Sequence, residues 1–242
     1  MTDHFDTIAD IYNKVWYFSQ NYQTTMLENI IELLQLGNAD VLADLGGGTG
    51  TYTRLLLEKA RIGKAYCIEP SRGMYLEAKK IPSIESICAD AEAFMNLDLT
   101  FTKVLLKEVV HHIPNREALW RYLFAKLPDQ GRVLIVTRPY DIALPLFEAA
   151  KQAFRQKQPK HETLIRELES SGFEVSFRLH PYQFSLDKPV WFNMIRQRFM
   201  SDLAGFTDEE IEAGLLEIDQ QNPVNDIRIP DNIIYLSAWV KK

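Results

Sequence analysis

The sequence predicts an α/β fold: a doubly wound, seven-stranded and mostly parallel sheet with helices on both faces and helical lid elements. Three observations predict it. Short apolar runs of strand length alternate with stretches of helical period from residue 41 to residue 179. The first run, Val41 to Leu45, breaks into Gly46, Gly47, Gly48 and Gly50, four glycines within five positions, and resumes as a helix through Tyr52, Leu55 and Leu56. A last strand, Ile233 to Val240, lies at the far end of the chain and returns to pair beside a sixth strand at Phe173 to Leu179.

Composition bounds the rest. A chain of 242 residues that is 46% hydrophobic and 25% charged suits one globular domain. Net charge is -6 with no run of Lys or Arg, which argues against a broad nucleic-acid or anionic-membrane footprint. No apolar run approaches the ~20 residues that span a bilayer, and Met1 to Asp6 lacks the apolar core of a leader, so the expected location is the cytoplasm. Cys67 and Cys88 fall in predicted strands, away from any metal-ligand spacing, and read as buried core thiols.

Residues 1–36 read as two helices, one carrying Phe5, Ile8, Ala9, Tyr12 and Trp16, the other Met26, Ile30, Ile31 and Leu34, with Gly37 as C-terminal cap. The glycine turn then offers close backbone approach and a helix N-terminus, the outline of a nucleotide-cofactor site. A dinucleotide fingerprint needs Gly-x-Gly-x-x-Gly; Gly46 and Gly48 fit, but Thr51 holds the third position.

A second strand, Lys64 to Glu69, leads through Pro70 to Ser71, an N-cap. Glu69 stands about twenty residues past the turn, where a strand-end carboxylate accepts hydrogen bonds from both ribose hydroxyls. Ile84 to Ala89 forms a third strand and ends at Asp90-Ala91. A fourth, Thr102 to Lys107, runs into Glu108-Val-Val-His111-His112-Ile-Pro114, after which Asn115 caps a helix. The fifth is Gly131 to Thr137, ending at Arg138-Pro139-Tyr140, and helices follow at Leu144 to Gln156 and His161 to Ser171. Residues 181–232 are too long for a hairpin turn. They hold one apolar helix after Pro189 and a second behind the capping box Thr207-Asp-Glu-Glu210. The expected organisation is one domain, 1–242, with lid elements 1–36 and 181–232 on a core of 38–180 plus 233–242.

Asp44-x-Gly46-x-Gly48-x-Gly50 resembles the first motif of the class I S-adenosylmethionine-dependent methyltransferases, and Glu108 to Pro114 resembles the His-His-x-Pro stretch of their small-molecule members. The resemblance covers 38–180 well and implies a Rossmann-like fold with S-adenosyl-L-methionine as cofactor. It implies that Gly46, Gly48 and Gly50 lie under the methionine moiety and that Asp44 holds its ammonium end. Glu69 and Pro70 would meet the ribose side, Met74 the adenine unless it is core, and Asp90 and Ala91 the adenine amine. Phe5-Asp-x-x-Ala9-x-x-Tyr12 resembles the family's lid helix, with Tyr12 facing cofactor or acceptor, or else simply packing.

Lys107 and Glu108 depart from the family, which more often has a small or amide residue there. They contact the methionine end, bear on the acceptor, or pair with each other. His111 or His112 would act as base or orient the acceptor, unless both merely satisfy the turn. In an extended segment adjacent side chains point to opposite sides, and no further ligand follows, so no metal is expected. Arg138, Trp191, Arg196 and Phe199 are candidates for the acceptor side, with lid-to-body packing as the alternative for the aromatics. The implied reaction is in-line transfer of a methyl group to a small molecule, with no nucleic-acid or membrane partner. A protein that binds this cofactor without transferring its methyl, or a nucleotide-dependent oxidoreductase, would share the sheet.

Overall fold

The structure, a computed structural model, describes residues 4–6 and 20–241. Most of the predicted first helix, with Tyr12 and Trp16, lies outside them. The described chain continues with α1 (Gln20–Leu34), β1 (Val41–Leu45), α2 (Thr51–Ala60), β2 (Lys64–Ile68), α3 (Arg72–Ala78), β3 (Glu85–Ile87), α4 (Ala91–Met95) and β4 (Lys103–Lys107). Then come α5 (Arg116–Lys126), β5 (Arg132–Thr137), α6 (Glu148–Lys157), α7 (His161–Ser170), β6 (Glu174–Asp187), α8 (Lys188–Arg196), α9 (Asp208–Gln221) and β7 (Asp226–Trp239).

The predicted sheet is present: seven strands in the order β3-β2-β1-β4-β5-β7-β6. Pairs from β3 to β5 are parallel, and β7 runs antiparallel between β5 and β6. The central strands are apolar on both faces because helices cover both. Ala43, Leu45, Tyr66, Ile68, Val104, Leu106, Val133 and Ile135 pack against Leu119, Trp120 and Leu123 of α5 and Leu164 and Leu168 of α7. Their alternating neighbours Leu42, Ala65, Cys67, Leu105, Leu134 and Val136 pack against Ile30 and Leu34 of α1 and Leu56 of α2. Strand order reverses between β1 and β4, so their C-terminal ends open a crevice, the usual ligand position in such sheets.

Four predicted elements need corrected boundaries. β6 and β7 are each 14 residues long and stay paired from Glu174↔Trp239 to Asp187↔Asp226. The reason is in the sequence: Tyr182, Phe184 and Leu186 alternate on one strand and Ile227, Ile229 and Ile233 on the other. β5 accompanies β7 only over Ile234 to Trp239, so the rest of the ribbon projects past the sheet. It carries α8 and α9, whose Trp191, Ile195, Ile211, Leu215 and Ile218, with Phe199 from the connection between them, form a separate core with Leu144, Phe147 and Phe154. The helix expected from Leu144 begins only at Glu148, because Ile142, Leu144, Leu146 and Phe147 pack into the core as irregular chain. β3 stops at Ile87, which leaves Cys88 exposed rather than in the core.

Candidate active site

The glycine turn is built by three residues in the left-handed region: Gly46 (φ 72°), Gly48 (φ 58°) and Gly50 (φ 74°). At two of them the fold also leaves no space. A Cβ on Gly46 would lie 2.5 Å from Val109 Cγ2, and one on Gly50 2.6 Å from Ile84 Cδ1. At Gly48 a Cβ would meet nothing within 4 Å. The turn therefore shows open space at one position and packed neighbours at the others.

Glu69, just past β2, closes over this turn. Its Oε2 accepts from Gly48 N at 2.9 Å and its Oε1 from Ser71 N at 2.8 Å. The carboxylate is buried, which raises its pKa against the lowering effect of those two N–H donors. Gly46 N and Gly47 N both donate to Ile68 O, so β2 and the turn form one rigid unit.

Asp44 lies beneath the turn and is 2% exposed. Thr53 Oγ1 donates to it at 2.6 Å, yet burial pushes its pKa up to about 6, with nearby Lys107 opposing the shift. Lys107 Nζ sits 4.4 Å from the centre of the Tyr52 ring. Burial lowers the pKa of that ammonium, while Glu108 and Asp44 act to raise it.

Asp90 is exposed and caps α4, accepting from Ala93 N at 2.8 Å, with Ala91 as the first helical residue. Met74 is buried within α3, and Pro70 is exposed beside it. Asp6 was not singled out by the sequence. Its Oδ1 accepts from Ser71 Oγ and Gly73 N, both at 2.6 Å, so the N-terminal segment docks beside Glu69.

The two histidines differ from expectation. They lie in a 3-10 turn, Val110–His112, where successive side chains sit about 120° apart rather than opposite. Their ring centroids are 3.9 Å apart, and Phe5 meets His112 edge-on at 6.0 Å. Nδ1 of each is buried and has no hydrogen-bond partner among the described residues. Burial lowers the pKa of both rings, that of His112 to about 3.

Glu108 precedes that turn with φ 56°, held by its N–H on Val136 O at 2.8 Å. One carboxylate oxygen accepts from Arg138 Nη1; the other, Oε1, is buried and unpartnered. Arg138 is thereby corrected from a substrate candidate to a buried strut. Its Nε and Nη2 reach Asp231 Oδ1 and Oδ2, both at 2.8 Å, and Tyr22 Oη donates to Asp231 Oδ2 at 2.8 Å.

Trp191 and Phe199 are corrected as well. Both are 0% exposed within the separate core, 5.1 Å apart, and the indole donates to Pro145 O. Arg196 pairs with Glu212 on the surface, and Arg198 with Asp208 and Phe206 O. Tyr12 lies outside the described residues. Asp231 was legible in principle: it is the one polar residue on the buried side of the Ile227, Ile229, Ile233 alternation.

Comparison with known proteins adds the following. Residues 43–135 match the family model described as a methyltransferase domain. An uncharacterized methyltransferase of Schizosaccharomyces pombe is 24% identical over 197 residues, 72% of this chain and 75% of that protein. The ubiquinone/menaquinone biosynthesis C-methyltransferase UbiE of Hydrogenovibrio crunogenus is 24% identical over 198 residues, 76% of this chain and 77% of its own length. Among solved structures, Haemonchus contortus phosphoethanolamine N-methyltransferase 2, in complex with phosphomonomethylethanolamine and S-adenosylhomocysteine, aligns with a TM-score of 0.62. That match is 16% identical and covers 98% of this chain and 58% of that one.

Proposed function

We propose that this chain, which belongs to the class I S-adenosylmethionine-dependent methyltransferases, moves a methyl group to a small-molecule acceptor by in-line displacement. The observation that carries the reading is the pairing of Gly48 with Glu69. Open space stands over a left-handed glycine whose N–H is held by a buried strand-end carboxylate. A side chain there would fill the seat of a ligand, and each carboxylate oxygen keeps a lone pair for a ribose hydroxyl. These residues fit the cofactor.

When bound, S-adenosyl-L-methionine supplies a methyl already activated by the positive sulfonium beside it, so alignment and dryness matter more than acid–base help. Asp44, ionised, would hold the ammonium end, Glu69 the ribose, and Asp90, exposed and with lone pairs beyond its cap, the adenine amine. Glu108, His111 and His112 would stand on the acceptor side of that cofactor.

In this reading residues 4–6 and the insertion on the β6–β7 ribbon would cover that side. Asp6 is tied to α3, Phe5 touches His112, and His4 lies near Arg198, Lys157 and Asp202. That enclosure, the ubiquinone/menaquinone biosynthesis role in UbiE's name and the phosphomonomethylethanolamine bound to the Haemonchus enzyme favour a small molecule over a macromolecule. The test is methyl-labelled cofactor incubated with the chain and a fractionated cell extract. Label is expected in the small-molecule fraction, and label confined to protein or nucleic acid would overturn the proposal.

A further inference from the structure

We propose that Glu108 and His111 form the recognition site for the methyl acceptor, and that the acceptor is an uncharged molecule presenting a hydroxyl hydrogen to them. The proposal rests on the methyl-transfer reading above and adds the acceptor's chemistry to it.

The backbone supplies the first observation. Glu108 sits at φ 56°, a region that costs a residue with a Cβ roughly 1–2 kcal/mol. Such strain persists only where surrounding structure holds it, and here Val136 O and Arg138 do so from β5 and its end. Arg138 is in turn fixed by two hydrogen bonds to Asp231, itself 1% exposed. The network fixes one oxygen of Glu108 and leaves the other without a partner.

The second observation is a cluster of unmet hydrogen-bonding atoms. Glu108 Oε1, His111 Nδ1 and His112 Nδ1 are all buried and unpartnered, within five consecutive residues. A buried polar atom left unpaired costs about 1–3 kcal/mol, and native folds keep few of them. Carboxylate oxygen is acceptor-only, and Nδ1 of a neutral imidazole accepts in the Nε2–H tautomer. Burial keeps both rings neutral, as the lowered pKa of each indicates. Glu108 Oε1 can be completed only by a donor of hydrogen, and none of the described residues provides one.

Position ties the cluster to the cofactor seat. Val109, between Glu108 and the histidine turn, packs against Gly46 so closely that a Cβ there would come within 2.5 Å of it. The acceptor atoms thus border the glycine turn.

Charge selects the class of molecule. Arg138 is matched by Asp231 and Glu108, and Lys157 lies 3.2 Å from Asp202. Lys107 has Glu108 and Asp44 as its opposing charges. With Arg138 and Lys157 already paired among the described residues, an anionic acceptor would face the Glu108 carboxylate directly. A neutral hydroxyl has no such conflict.

Phenol, anisole and benzoate test this, since the three share a ring and differ in donor and charge. Each is titrated into the full chain saturated with S-adenosylhomocysteine at pH 7, by ligand-observed saturation-transfer NMR. Phenol should bind ~10-fold or more tighter than either analogue, as expected for a hydrogen bond to a charged group. Glu108→Gln, which keeps a carbonyl for Arg138 but turns the free atom into a donor, should reduce that preference to within ~2-fold while affinity for S-adenosylhomocysteine stays within ~3-fold.

His111→Phe, the second variant, should weaken phenol by ~5-fold or more without changing the affinity for S-adenosylhomocysteine. Equal binding of benzoate or anisole overturns the proposal. So does a preference that survives in both variants, or phenol that fails to bind at ~10 mM to a chain that does bind S-adenosylhomocysteine. If the wild-type chain does not bind S-adenosylhomocysteine, the cofactor reading itself has failed, and this proposal with it.

Discussion

Arg138, at the end of β5, and Asp231, on β7, form a two-pronged ion pair in which both donor–acceptor distances are 2.8 Å and the side chains are 2% and 1% exposed. Two charges so deeply buried are stable only as a matched set. Glu108 and Tyr22 complete it, linking β4, β5, β7 and α1 just beyond the C-terminal ends of the parallel strands.

Removing one partner should therefore be worse than removing both. Asp231→Ala is expected to cost about 3–5 kcal/mol, because it strands a buried guanidinium. The double change Arg138→Met/Asp231→Leu should cost less than either single change to alanine. Urea unfolding with a double-mutant cycle checks this, and additive losses would show the pair to be uncoupled.

The glycine turn makes a prediction that separates packing from binding. Gly48→Ala should keep the fold at a cost of about 1–2 kcal/mol for its left-handed backbone, yet lose S-adenosylhomocysteine affinity by ~10-fold or more. Gly46→Ala carries the same strain plus a clash with Val109, worth a further 1–3 kcal/mol or so, and should melt lower. Thermal melts and calorimetry on the two variants decide it; a Gly48→Ala chain with normal affinity would make that open space irrelevant to the cofactor.

Much of this architecture was legible in the sequence because its signals are local. Strands apolar on both faces, the glycine run and the N-caps at Ser71 and Asn115 each occupy a few adjacent residues. The ion pair was not legible, since its members are 93 residues apart. The histidines were misread because strand geometry was assumed where a 3-10 turn stands, and the turn begins at a left-handed Glu108 that no local residue preference announces. Trp191 and Phe199 had the composition of a pocket wall; only the packing of α8 against residues 142–154 shows them to be core.

That packing predicts a stability effect in place of a substrate effect. Trp191→Ala removes a fully buried indole and its bond to Pro145 O, and should cost about 3–5 kcal/mol. Affinity for S-adenosylhomocysteine should move by less than ~3-fold under conditions where the variant is folded. Wild-type stability with altered methyl transfer would return Trp191 to the acceptor side.

Two groups give stability opposite dependences on pH. Asp44 has its pKa raised from 3.8 to about 6, so across that window the folded chain holds the proton more tightly and stability falls as pH rises. His112 has its pKa lowered from 6.5 to about 3, so the unfolded chain holds the proton more tightly and stability is lost as pH falls through that range. Upper bounds are about 3 and about 5 kcal/mol respectively. Asp44→Asn should steepen the acid-side loss of stability, and His112→Phe should flatten it. Unfolding curves from pH 4 to 7 that superimpose on wild type would show that neither group is perturbed.

The central claim is that the cofactor sits over Gly48 with its ribose on Glu69, and calorimetric titration of S-adenosylhomocysteine at pH 7 tests it most directly. The wild-type chain should bind one equivalent, and Glu69→Ala, confirmed folded by near-UV circular dichroism, should bind ~10–100-fold more weakly through loss of the hydrogen bonds that a diol makes to a carboxylate. Glu69→Gln, which keeps a single carbonyl acceptor, should fall between them. A folded Glu69→Ala chain with wild-type affinity, or a wild-type chain that takes up no ligand, would contradict the account.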